Sequence, residues 1–232
     1  MALTPTDNEA FLREVDEELR RDQITGFWRT YGRWVAISIG LGLAIFGGYL
    51  WYQNHQMKAA GIEGEKMAAA LDSLGANKLD VAKPELDALA KSTRPGYSAA
   101  ARMALADIAV QKNDPKAAAA QYKAIADDAS VAKPFRDIAL IRQTAVEFDT
   151  IAPADVASRL GGYAVPGNPW FGSAGEMVAI AYLKQGKKAE AGRLFALIAN
   201  DVGVPRSLRS RAVQMASLLG VDPSAVNGSP SK

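Results

Sequence analysis

Between Arg33 and Lys58 the sequence carries no charged residue, and that run restricts the chain more than any other feature. Trp34 to Tyr52 is almost wholly apolar. Its span of about 19 residues, at about 1.5 Å each, covers about 28 Å, close to the hydrocarbon core of a bilayer. Val35, Ile37, Ile39, Leu41, Leu43, Ile45, Phe46 and Leu50 each favour insertion by about 0.3–0.6 kcal/mol, together about 3–5 kcal/mol. That sum is set against Ser38 and the four glycines Gly40, Gly42, Gly47 and Gly48. Trp28, Tyr31 and Trp34 precede the run, and Tyr49, Trp51 and Tyr52 close it. Amphipathic rings in those places match the aromatic belts of a spanning helix. A cleaved signal peptide has an apolar stretch of about 7–15 residues, shorter than this one. The small residues Ala59, Ala60 and Gly61 lie well beyond the run. A single transmembrane helix over 34–52 is the expectation.

Arg20, Arg21, Arg29 and Arg33 stand before the run, whereas Lys58 and Lys66 are the nearest cations after it. The positive-inside rule then places residues 1–33 in the cytoplasm and everything after Tyr52 across the membrane, in the periplasm of a bacterial cell with two membranes. Ala36, Gly40, Ala44 and Gly48 recur every four residues. Such a stripe lets another helix approach closely, either a partner membrane protein or a second copy in a homodimer.

Composition removes several classes of function. The chain has no cysteine and one histidine, His55, so no thiolate metal site, Cys nucleophile or His-based triad can be built. No metal and no cofactor is expected. With a formal net charge of +2 and mixed charges throughout, there is no basic surface of the sort nucleic acid requires. The paired carboxylates Asp127 and Asp128 are the nearest thing to an acid and base. Solvated acids at a helix end are ordinary, so no catalytic residue is assigned and the chain is read as a non-enzyme.

Before the run, Thr6 or Asp7 caps a predicted short helix to about Asp22, with Phe11, Val15 and Leu19 on one face. After it, residues 53–220 read as helices of ordinary length broken by Gly, Pro, Asn and Asp, without sustained period-two alternation. An internal repeat organises them. Asn113, Ala118, Tyr122 and Ile125 map onto Gly186, Ala191, Phe195 and Ile198 with one constant offset of 73 residues. The same offset carries Leu105, Ala106 and Ala109 onto Val178, Ala179 and Tyr182. An earlier unit offers Asn77, Ala82, Leu86 and Leu89, and a poorer one lies between, with a turn near Asp149 and with Val156 and Leu160 slipped along the helix. The period of about 36 is near the 34 of tetratricopeptide helix–turn–helix units.

Each unit predicts an A helix, a turn at Asn or Gly with positive φ, and a B helix carrying a small and then a large residue. Pro115, Pro134 and Pro205 mark helix starts. No unit buries its apolar face alone, so the units stack. The fold class expected is all-α: one transmembrane helix, then a tetratricopeptide-like α-solenoid of about four degenerate helix pairs. The turn-rich stretch Gly161 to Trp170 links the third pair to the last. Trp170, Phe171 and Tyr182 are the aromatic residues singled out as candidate protein-binding positions. Residues 221–232, rich in Pro, Ser and Gly, are expected to be a disordered tail.

An acidic N-terminal helix, an arginine-flanked span and degenerate helix pairs follow one another in this order. Three further stretches are PFRDIALIRQTA (Pro134 to Ala145), GNPWFGSAGEMVAIAYLKQG (Gly167 to Gly186) and PRSLRSRAVQMASLLG (Pro205 to Gly220). Together they resemble the YfgM-like ancillary subunits of the SecYEG translocon over nearly the whole chain. The resemblance implies an inner-membrane protein with a cytoplasmic N-terminus and a periplasmic domain. Its implied partners are Sec translocon subunits, periplasmic chaperones and the translocated clients passed to them. The other reading weighed from the same features is an adaptor or scaffold of another cell-envelope assembly complex.

Overall fold

The computed structural model describes residues 5–224, with side chains from residue 29 onward except residue 30. Among the described residues the chain is all-helical, with nine helices and no strand. They are α1 (Pro5–Gly75), α2 (Leu79–Leu89), α3 (Pro95–Gln111), α4 (Pro115–Ala126), α5 (Lys133–Glu147), α6 (Pro153–Leu160), α7 (Phe171–Lys184), α8 (Lys188–Asn200) and α9 (Arg206–Leu218). Residues up to Ile62 form one compact unit and residues from Glu63 a second.

In the first unit the backbone is helical from Pro5 onward with no break at Asp22. The short N-terminal helix read from the sequence is therefore part of α1, and its side chains fall outside the described residues. The large apolar side chains from Ile37 to Trp51 are exposed on this chain. The stretch Tyr31–Gly75 is long and apolar enough to cross a membrane, with mean hydropathy 1.7 over its most apolar window and none of that window buried.

The second unit begins later than the expected boundary at Gln53. Glu63 is the first residue tied into it, holding Arg94 at 2.8 Å and accepting from the Ser92 hydroxyl at 2.7 Å. Met67 and Ala70 are its first buried side chains. The odd-numbered helices α3, α5, α7 and α9 touch one another in succession, and each even-numbered helix packs beside them. Residues 63–75 of α1 pair with α2 through Met67, Ala70, Ala82 and Leu86, the pairs α3–α4, α5–α6 and α7–α8 follow, and α9 packs against α7 and α8. The exposed residues of α9 include polar Arg206, Ser210, Gln214 and Ser217 together with apolar Val213 and Leu218.

The repeat explains the core. Each B helix places a small residue and, four residues on, a large one on the same buried face: Ala82 with Leu86, Ala118 with Tyr122, Val156 with Leu160, Ala191 with Phe195. Residues at i and i+4 share one side of a helix, so the small member lets the A helix approach and the large member fills beside it. Asn77 and Asn113 both have φ of 58° and Gly186 has φ of 79°, three equivalent turns in the left-handed region that Asn and Gly tolerate. The α5–α6 turn has no such residue among those described, and α6 is the short, slipped helix of the degenerate pair.

The domain also runs past Gly220, where a disordered tail was expected to begin. Gly220, at φ 77°, turns the chain back, and Val221 packs against the core beside α8. A Cβ at Gly192 would stand 2.6 Å from Val221 Cγ2, so glycine is what admits this contact. Asn200 Nδ2 donates to the Pro223 carbonyl at 2.6 Å, which fixes the segment further. Residues 225–232 lie outside those described.

Candidate functional site

Ion pairs at a spacing of 35 residues, close to one repeat, join α3 to α5 (Arg142 to Asp107), the turn after α5 to α7 (Lys184 to Asp149) and α7 to α9 (Arg211 to Glu176). The first is the most elaborate. Tyr122, 2% exposed, donates its O–H to Asp107, which Arg142 also holds. One carboxylate thus joins α3, α4 and α5. Burial, then the bond to the negative Asp107, push the Tyr122 phenol up to about 12.

That shift has a direct consequence for stability. Above about pH 10 the unfolded chain releases the phenolic proton while the folded chain still holds it. Stability is therefore expected to fall as pH rises from about 10 to about 12. Circular-dichroism melts at stepped pH should show a smaller fall for Tyr122→Phe than for the unmodified chain. Parallel curves would mean that the phenol is not the group responsible.

The carboxylates considered as an acid–base pair serve separate structural tasks. Asp127 pairs with Lys123. Asp128 accepts from the Ser130 hydroxyl and backbone N–H and from Arg102, and these bonds hold it down to about 2. Among the described residues no group of three or more His, Cys, Asp or Glu side chains is placed to hold a metal ion. His55 stacks on Trp51 with ring centroids 5.8 Å apart.

The three aromatic candidates do not share a surface. Phe171, at 1% exposure, is a core residue of α7 packed with Val178, Phe195 and Ile198. Its neighbour Trp170 is half-buried and lines a cavity of about 320 Å³ with Pro169, Val204, Pro205 and Leu208. Tyr182 sits at the other end of α7, half-buried, with Lys187 Nζ 5.7 Å from its ring centroid. Twelve residues of helix separate it from Trp170, about 18 Å. In the first unit, Ala36, Gly40, Ala44 and Gly48 are all exposed, and a Cβ at Gly40 or Gly48 would meet nothing within 4 Å.

Two larger concavities lie beside α4, at positions not singled out from the sequence. One, of about 480 Å³, is bounded by α2, α3 and α4 and floored by Leu105, Ile108, Ala109 and Ala124. The other, of about 500 Å³, lies between α4 and α5 over Ala119, Ala120 and Val146. The sequence held a signal for them. At the offset of 73, the bulky residues Tyr182, Leu194 and Leu197 stand where the first half has Ala109, Gln121 and Ala124.

A family model for a tetratricopeptide repeat-like domain matches residues 25–215, most of the chain. The chain belongs to the tetratricopeptide repeat-like domain family. No curated protein and no solved structure matches it. In this tetratricopeptide repeat-like chain the stacked pairs form a protein-interaction module, since such repeats offer extended surfaces that each pair continues from the last. The matched range also includes the apolar stretch in α1.

Proposed function

We propose that the chain is a membrane-anchored protein-interaction module of the bacterial inner membrane. In this reading it stands beside the Sec translocon and assists transfer of translocated proteins to periplasmic chaperones. The observation that carries the anchor is the uncovered apolar stretch of α1, with mean hydropathy 1.7. Aromatic residues flank it and four arginines precede it, which supports a cytoplasmic N-terminus and a periplasmic repeat domain. The resemblance to YfgM-like translocon subunits supports the choice of partner. Tethering suits the task, because holding a weak binder beside a channel exit raises its effective concentration without any new contact.

The small-residue stripe supplies the docking face in the membrane. Photo-reactive residues at Gly40 and Ala44, in whole membranes, are expected to crosslink to a translocon subunit. Crosslinks to a second copy alone would point to a homodimer and remove the docking role. Crosslinks to another envelope assembly would favour the adaptor reading.

A further inference from the structure

We propose that the two grooves flanking α4 form one docking face for an acidic, apolar segment of a partner protein. Aliphatic side chains of that segment enter the grooves, and its carboxylates lie against the α3–α4 turn. The proposal rests on reading the domain as a protein-interaction module, and it names the chemistry of one partner.

The internal repeat shows what fills such grooves. In the second half, Leu194 is buried, and Tyr182 and Leu197 stand where the first half has Ala109 and Ala124. Beside α8 the other space is taken by Val221, lying over Gly192. The residue equivalent to Val221 in the first half is Phe148. Phe148 packs instead on the core of the second half, with Lys184 Nζ 4.5 Å from its ring centroid. The face over Ala119 is thereby left open. The second half thus sets larger side chains at the places of Ala109 and Ala124, with Tyr182 half-buried and Leu197 36% exposed, and covers the other space with Val221. The low ridge between the unfilled spaces is α4 itself, whose Ala117, Ala119, Ala120 and Ala124 rise little above the backbone.

Charge then selects the partner. Every acid bordering the grooves is engaged. Asp87 pairs with Lys83 at 2.6 Å, Asp114 caps the Ala117 N–H at 3.0 Å, and Glu147 is held by Arg159 and Gln143. Arg102 is committed to Asp128 and to the Ala124 carbonyl. Three charges lie outside any ion pair: Lys112 on the first groove, Lys116 on the second, and between them in sequence the carboxylate of Asp114, which accepts only a backbone N–H. The two lysines stand on either side of the α3–α4 turn, with no side-chain hydrogen bond or ion pair to another described residue. An acidic segment meets two cations against one carboxylate there and displaces no existing pair, whereas a basic one meets a net repulsion.

The test uses the full chain in nanodiscs of zwitterionic lipid. Two fluorescein-labelled peptides are compared by anisotropy, one of alternating leucine and glutamate and one with lysine in place of glutamate. The acidic peptide is expected to bind saturably and more weakly as salt is raised. Lys112→Glu with Lys116→Glu should weaken it about tenfold or more. Ala109→Tyr with Ala124→Leu, which import the residues of the second half, should abolish the binding while circular dichroism shows the fold kept. Equal binding of the lysine peptide, or binding indifferent to the groove-filling pair, would overturn the proposal. So would a concentration-dependent dimer in sedimentation that the filling pair abolishes, since the occupant would then be a second copy. Failure of both peptides, with envelope partners still co-purifying, would remove this docking face and leave the broader reading standing.

Discussion

Phe195→Ala should lower the stability of the repeat domain by about 3–5 kcal/mol, the range for deleting a buried aromatic ring. Phe195 is 1% exposed and lies in the core cluster shared by α5 to α9, beside Phe171 and Ile198. Its small partner Ala191 and the close approach of α7 at Gly175, where a Cβ would already sit 3.0 Å from Ile198 Cδ1, leave little room for other side chains to shift inward. The vacated space therefore stays a cavity, and the loss sits at the upper end of what the missing surface alone would give. Domains of this size hold together by about 5–15 kcal/mol, so the change removes about a fifth or more of the total. In stacked repeats each pair is stabilised by its neighbours, and the damage should extend to α9. Urea unfolding of the full chain in detergent, followed by far-ultraviolet circular dichroism, measures it. Phe195→Leu, which keeps most of the volume, should cost far less, and equal losses for the two variants would contradict the packing argument.

The reason this position could be read from the sequence is periodic. Tyr122 and Phe195 hold equivalent places in their units, and Leu86 and Leu160 repeat the pattern. Positive φ at Asn77, Asn113 and Gly186 was legible for the same reason: Asn or Gly, the residues that tolerate it, recurred at one place. Features without a period were not legible. Trp170 and Phe171 are adjacent at the start of α7, and neighbouring helical residues point about 100° apart. One faces a surface cavity and the other the core, a division that local sequence does not announce. Val221 returns to Gly192 across 29 residues of chain, after a glycine that looks like a simple terminator. Hydropathy falls after Tyr52 although the helix does not end, so nothing in the composition marks Glu63, where the second compact unit begins. No Pro or turn cluster interrupts α1 before Gly75. The grooves beside α4 arise where the repeat departs from itself, and only a comparison of its two halves exposes such departures.

The anchor gives the other large effect. Leu43→Arg combined with Ile45→Asp should move the chain out of the membrane. At the centre of a span each charged residue costs about 2.5–3.5 kcal/mol, and each removed aliphatic residue withdraws about 0.3–0.6 kcal/mol. The combined change of roughly 6–8 kcal/mol exceeds the 3–5 kcal/mol or so that the apolar residues supply, so the sign of insertion reverses. Residues two apart on a helix do not face each other, and the new charges cannot relieve the cost by pairing. Within the protein the same substitutions remove almost nothing, because Leu43 and Ile45 are 66% and 65% exposed. The melting temperature of the repeat domain should therefore be unchanged. Extraction of membranes with alkaline carbonate separates the outcomes: the unmodified chain is expected in the pellet and the double variant in the supernatant. Should the double variant stay in the pellet with the repeat domain folded, this stretch is not what holds the chain to the membrane. If it leaves the pellet only when the repeat domain has also unfolded, the loss is one of folding, and the anchor proposal fails with it.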